Sequence, residues 1–198
     1  MAKKVVMTTS PGGEDLTDAE AIARSLTDSD AFVVVFERHF SLVHRYVRVR
    51  AGDSDADDLA AQTFEIAFRR RSDYDRSRED ARPWLFGIAI KLLSEHRRRR
   101  RRGLNAVARL FAQDARDAQA VVEPSRDGAP DLRQALAAVR DEDRDLLFLH
   151  ACLDLTYDEC AIALGVPVGT IRSRLHRVRE RLRRDLKKSV QLGLEAQR

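Results

Sequence analysis

The chain is poor in the residues that punctuate or staple a fold. Its 198 residues include two cysteines, five prolines, nine glycines and a single tryptophan. Two thiols, Cys152 and Cys160, make no disulfide framework; they suit a reducing cytosol, where free cysteine behaves as a small buried apolar residue, with a redox or metal role as the lesser reading. Scarce Gly and Pro beside 34% charged residues favour helices with charged outer faces. No apolar run approaches the ~20 residues of a membrane span. The first twenty residues, MAKKVVMTTSPGGEDLTDAE, lack the apolar centre of a secretory signal, so the expectation is a soluble cytoplasmic protein without membrane insertion. No phosphate-binding glycine run, nucleophile–base pair or zinc-ligand spacing occurs, and the histidines (His39, His44, His96, His150, His176) are scattered. No enzyme activity, catalytic residue, cofactor or metal is therefore assigned.

What the chain has is segregated charge. The formal net charge is only +4, yet acids gather at 53–58 and 114–131 and bases at Arg97–Arg102 and 172–188. Such asymmetry points to an anionic partner, nucleic acid ahead of membrane. Six consecutive arginines repel one another at little cost in water, and become favourable when phosphates displace counterions. A solvated basic tract is the plain alternative.

Periodicity predicts an all-α protein. Residues 1–27 read as a flexible tail with a short helix at Asp18–Leu26, and a domain spans 28–102. In its first long helix, capped by Asp28 or Asp30, Phe32, Phe36, Phe40, Val43 and Val47 recur at helical spacing until Gly52. A second helix, DSDADDLAAQTFEIAFRRR, is acidic at its start and basic at its end, as the helix dipole favours. A polar loop, 71–80, precedes a third helix near Pro83 that carries Trp84, Leu85, Ile88, Ala89, Leu92 and Leu93. Trp84 reads as core, whereas Tyr74, among Arg71, Arg76 and Arg78, is a candidate to stack on an unpaired base or to anchor its loop. Residues 103–130 read as a linker with a short helix near Ala106–Ala115. A second helical domain follows at 131–190, with helices at 131–140, 142–152, 156–164 and 168–187, and a tail at 191–198.

TYDECAIALGVPVGTIRSRLHRVRERLRRDL, residues 156–186, is the most specific stretch. Thr156 and Glu159 have capping-box spacing, Ala161 is small where helices cross, Gly165 suits the turn, and Pro167 suits a new first turn. Val168, Ile171, Leu175, Val178, Leu182 and Leu186 form the inner stripe of the next helix. This is a helix–turn–helix, whose second helix commonly enters the major groove. At 100° per residue, Gly169, Ser173, His176, Arg177, Glu180 and Arg184 point outward, with Arg172 and Arg174 beside them. Thr170, Arg172, Ser173, Arg174, His176 and Arg177, near the helix start, are candidates for base edges. Arg179, Arg181, Arg183, Lys187 and Lys188 suit phosphates.

YDECAIALGVPVGTIRSRLHRVRERLR resembles the C-terminal DNA-reading region of sigma-70-type initiation factors, especially the extracytoplasmic-function (ECF) group. DADDLAAQTFEIAFRR and RPWLFGIAIKLLSEHRR resemble that group's N-terminal domain, in the expected order. The resemblance implies a promoter-specificity factor that binds core RNA polymerase through the beta-prime clamp helices and the beta flap. Asp55, Asp58, Leu59, Gln62, Thr63 and Phe64 would meet the clamp helices. Loop 71–80 and the following helix would hold the −10 element, with Tyr74, Arg76, Arg78, Lys91, Arg97, Arg98, Arg100 and Arg101 on its strands, and helix 168–187 would read the −35 element. An anti-sigma factor is a frequent further partner in the group. Two departures from the family stand out: Lys91 where Asn is usual, and Ala61-Gln62 where Gln-Glu is usual. The alternative from the residues alone is a stand-alone helix–turn–helix regulator that needs no polymerase.

Overall fold

A computed structural model of the chain describes residues 16–111, 135–136 and 138–195. The described elements are helical: α1 (Asp18–Ser25), α2 (Val33–Ala51), α3 (Asp53–Arg69), α4 (Arg82–Phe111), α5 (Asp141–Cys152), α6 (Tyr157–Leu164) and α7 (Val168–Glu195), with 3-10 turns at Ser29–Phe32 and Arg71–Asp73. No helix among the described residues is long and apolar enough to cross a membrane. The chain divides into two compact units, Met1–Leu93 and Ser94–Arg198.

The first unit packs α1, α2, α3 and the start of α4. Asp28 caps the 3-10 turn that leads into α2, accepting from the Asp30 N–H. Gly52 joins α2 to α3 in one residue, with φ of +95° that only glycine adopts readily, while its N–H closes on Arg48 O. The expected α2 stripe is split by this packing. Phe32, Val43 and Val47 are buried, whereas Phe36 remains 39% exposed. Phe36 and Phe40 meet Phe64 of α3 at centroid distances of 5.0 and 5.8 Å, and Tyr46 meets Phe86 of α4 edge-on at 5.4 Å. Such aromatic pairs contribute about 0.5–1.5 kcal/mol beyond the area they bury.

α1 corrects the expectation of a loose tail through residue 27. Its helix forms near the expected limits, with a Thr17–Glu20 capping box, but Ala21 and Ile22 lie fully inside the unit and Asp18 is buried with them. The Asp18 carboxylate accepts hydrogen bonds from His39 Nε2 at 2.6 Å and from the Ala81 N–H at 2.8 Å, and pairs with Arg38. Burial opposes ionisation, but these hydrogen bonds and charges outweigh it and hold the carboxyl below its ordinary value of 3.8. A depressed folded-state value stabilises the fold above the unfolded value, and that stability is lost as pH falls through the folded one. Asp18→Asn should therefore shrink the acid-induced loss of stability below pH 3.8, as read from urea midpoints across a pH series; an acid limb identical to wild type would disprove this.

The second unit holds α4 from Ser94, then α5, α6 and α7. Gly103 does not end α4, which runs on to Phe111. An interior glycine costs only about 1 kcal/mol relative to alanine, which a helix of 30 residues tolerates. The helix thus runs past residue 103, the expected start of the linker, and the expected helix near Ala106–Ala115 is, as far as Phe111, part of α4. The remainder to residue 130 lies outside the described residues, as does half of the expected helix at 131–140, of which residues 135–136 are helical and 138–140 are not. At the other end α7 continues to Glu195, through most of the expected 191–198 tail. Leu146, Leu149, Leu155, Cys160, Ile171 and Leu175 form the core of this unit. Cys160 fits the expectation of a buried thiol, its pKa pushed up to about 11 by burial and then by Glu159. Cys152 does not fit: it sits exposed at the last turn of α5.

Candidate nucleic-acid and polymerase interfaces

The helix–turn–helix is built by local chemistry. Thr156 Oγ1 accepts from the Glu159 N–H, and the Glu159 carboxylate accepts from the Thr156 N–H at 2.7 Å, closing the capping box at the start of α6. At its end the Val166 N–H returns to Ala161 O at 3.1 Å and the Gly165 N–H to Ile162 O at 3.2 Å. Gly165 takes φ +63°, ψ +36°, the left-handed conformation this closure requires. Pro167 O then accepts from Thr170 and Ile171, starting α7.

Burial on α7 follows the helical wheel: Ile171, Leu175 and Val178 point inward, and Arg172, Ser173, His176, Arg177 and Arg184 are exposed. Thr170 and Arg174 are half-buried. The basic residues form two separate stripes. Arg172, His176, Arg179 and Arg183 line a cleft of about 270 Å³ with Leu175 and Tyr157 of α6. Arg174, Arg177 and Arg181 line a second groove, of about 280 Å³, with Val139, Arg140, Glu142, Asp143 and Val178. In the first stripe the cations are next to a tyrosine; in the second they face two acids at the start of α5. Arg183 of the first stripe also pairs with Glu180 at 2.6 Å. Tyr157 is not among the sequence candidates, although its position in the first turn of α6 is the available signal. Its ring lies 5.1 Å from that of His150.

In the first unit, loop 71–80 is ordered by its own side chains. Tyr74 is not offered to a base: it is 5% exposed, its ring lies 5.1 Å from Trp84, and its hydroxyl donates to Arg78 O at 2.6 Å. Burial, then the carboxylates of Asp18, Asp80 and Asp75, push its phenol well above the ordinary value. Tyr74 is thus a loop anchor, and Ser72, Asp73, Asp75, Arg76, Ser77, Arg78 and Glu79 are exposed. Asp75 accepts from the Ser77 N–H and from Arg78 Nε, and its carboxyl is held below the ordinary value by the bonds from Ser77 and Arg78. Lys91 is exposed on α4.

Asp18, His39 and Asp80 offer three ligand atoms within 4.8 Å of one another. The donor set does not suit a cation. Asp18 already holds Arg38, His39 and the Ala81 N–H, while Asp80 accepts from the Arg82 N–H and Nε at 2.8 and 2.7 Å. A metal would have to displace a guanidinium from a buried carboxylate, so the cluster is an ion-pair network.

On α3 the expected polymerase-facing residues separate into two faces. Leu59, Thr63 and Phe64 are buried in the unit, and Thr63 Oγ1 donates to Leu59 O at 2.8 Å. Asp58 and Gln62 are exposed and Asp55 is half-buried. Spacing of three and four along a helix puts 59, 63 and 64 on the core side, whatever the chemistry of their neighbours. The outward face carries Asp57, Asp58, Ala61, Gln62 and Glu65.

The arginine run is also two-sided. Arg97 is 20% exposed and pairs with Asp141 at 3.0 Å and Asp145 at 3.8 Å. It is already matched to carboxylates, which removes it from the phosphate-facing set. Arg101 reaches Asp141 only at 3.8 Å and is 77% exposed. Arg98, Arg99, Arg100 and Arg102 are exposed.

Two family models match, in order: sigma-70 region 2 over residues 35–103, and sigma-70 region 4 over residues 130–182. The ECF RNA polymerase sigma factor SigE of Mycolicibacterium smegmatis is 34% identical over 179 residues, covering 87% of this chain and 67% of that protein. The RNA polymerase sigma factor NccH of Alcaligenes xylosoxydans xylosoxydans is 29% identical, covering 82% and 91%. Among solved structures, CnrH in complex with the cytosolic domain of CnrY superposes with a TM-score of 0.62 at 23% identity, covering 86% of this chain and 97% of that one. The sigma factor RpoE of Bartonella quintana, solved with the anti-sigma factor NepR, gives 0.60 at 21% identity, covering 80% and 98%. Those two structures share the fold, helical regions joined by a linker. With both sequence regions matched in order and a relative 34% identical over most of the chain, the protein belongs to the extracytoplasmic-function group of the sigma-70 family, a family of regulators and not of enzymes.

Proposed function

We propose that the chain directs core RNA polymerase to promoters through two separate DNA contacts. The first half of α7 reads the −35 element, with the Arg172 stripe on base edges and phosphate. Loop 71–80 and α4 hold the opened −10 element, with Arg76, Arg78 and Lys91 among the exposed groups there. The outward face of α3 docks on the beta-prime clamp helices, and the second unit on the beta flap. Strand opening draws on binding energy alone, because unpaired bases gain stacking and hydrogen bonds from the protein. The observation that carries this reading is the pairing of a region 2 and a region 4 match in one chain whose α7 presents Arg172, His176, Arg179 and Arg183 along a single cleft. An anti-sigma factor is a further partner on this reading.

The test is transcription in vitro from a genomic promoter pool with core polymerase, with and without the protein. New start sites that depend on the protein support the proposal; their absence from every template refutes it. Tight, specific binding of duplex DNA by the isolated protein would favour a stand-alone regulator instead. Docking is tested separately. Asp58→Arg reverses an exposed charge on α3 and should weaken association with core polymerase about tenfold or more, within the range of charge changes at interfaces. Undiminished co-purification with core would remove α3 from the docking surface.

A further inference from the structure

α1 lies before the span matched by the region 2 model, which begins at residue 35. It is nevertheless bonded to both ends of loop 71–81. At the loop's entry, Arg71 Nε donates to Ser25 O at 3.2 Å, on the last residue of α1. At its exit, the Asp18 N–H donates to Glu79 O at 3.1 Å and the Asp18 carboxylate accepts from the Ala81 N–H at 2.8 Å. The first N–H groups of a helix have no partner within it, so Asp18, in the first turn, can turn both its N–H and its carboxylate outward to the loop. Between these ends the loop bonds to itself, through the Tyr74 hydroxyl on Arg78 O and the Asp75 carboxylate on Ser77 and Arg78, while Tyr74 packs on Trp84 of α4 and Asp73 pairs with Arg70. These internal bonds set the shape of the loop. The bonds to α1, together with Tyr74 on Trp84, hold that shape on the unit.

We propose that Asp18 is a positioning residue for −10 recognition: α1 splints the loop, and Asp18 fixes its exit so that Arg76 and Arg78 meet the DNA in register. The inference rests on the reading of loop 71–80 as a −10 contact. Asp18 touches no DNA itself. A carboxylate that served stability alone would need only its bonds to Arg38 and His39; this one also holds the Ala81 N–H at the loop's exit, beside the Glu79 O that the residue's own N–H holds.

The experiment uses core polymerase reconstituted with the full chain, on promoters with a fixed −35 element and a randomised −10 region. Asp18→Asn should weaken preference among −10 sequences about tenfold, the scale of one misplaced base contact, with −35 preference and core affinity held within about twofold. His39→Gln is the control. It removes a neighbour of Asp18 but leaves both backbone attachments, and should lower the melting temperature without changing −10 preference. A folded Asp18→Asn protein with wild-type −10 preference overturns the proposal. So does a loss of −10 and −35 preference together, or an equal loss in His39→Gln, since either is what general destabilisation produces. Should Asp18→Asn fail to fold, Asp18→Glu decides: it keeps the charge but sets the carboxylate one methylene farther out. An altered −10 preference supports the proposal and an unaltered one overturns it. If wild type shows no −10 preference while transcription still depends on the protein, the −10 reading of the loop fails, and the role of Asp18 with it.

Discussion

Replacing Arg98, Arg99, Arg100 and Arg102 together with glutamine flattens the salt dependence of promoter binding by the assembled polymerase. Each phosphate left without its arginine lowers the slope of log affinity against log salt by about 0.9, so the full change lies between about 1 and 4. At the upper end this corresponds to roughly a hundredfold of the affinity that disappears between about 50 and 200 mM salt. The four side chains are exposed on the second unit's part of α4. Arg97→Gln behaves differently. Its guanidinium sits against Asp141 and Asp145 at 3.0 and 3.8 Å, so the slope holds while the melting temperature of the second unit falls. Titration of binding against salt for the two variants separates these outcomes. A quadruple variant with an unmoved slope would mean that the run meets water and not phosphate.

The second large effect is on stability. Leu175→Ala removes a side chain that is 1% exposed, from the helix whose opposite face carries the basic stripes. Such truncations cost about 2–5 kcal/mol, a large share of the roughly 5–15 kcal/mol that holds a whole domain. The variant should lose hydrogen-exchange protection through α5, α6 and α7 while α1, α2 and α3 keep theirs, because the core of the first unit contains none of these residues. Core polymerase binding through α3 then survives as −35 recognition disappears. Simultaneous loss of protection in both units would refute this independence.

What the sequence shows clearly is what local chemistry decides. The helix–turn–helix needs a capping box, a left-handed glycine and apolar residues three and four apart, all within 156–186, and Gly165, Thr156 and Glu159 adopt those roles. Less legible are the features that depend on distant partners. An isolated helix of eight residues is marginal in water, so α1 reads as part of a tail until Asp18 is seen with Arg38, His39 and Ala81. Tyr74 stands among charged residues in the chain and looks exposed; Trp84 and the Arg78 carbonyl bury it. Arg97 cannot be told from its five neighbours without Asp141 and Asp145. The α3 residues err in another way. A family motif names the whole helix, and only the spacing divides Leu59, Thr63 and Phe64 from Asp58 and Gln62.

The two thiols of the chain differ sharply in chemistry. Cys152 is open to solvent, whereas Cys160 is sealed in the core with its pKa raised to about 11. Thiolate is the species that attacks maleimides, so under native conditions a dye or spin label would couple at Cys152 alone, with no engineered mutation. The natural protein thus carries its own attachment point on α5, from which the arrival of the helix–turn–helix at a promoter can be watched in real time.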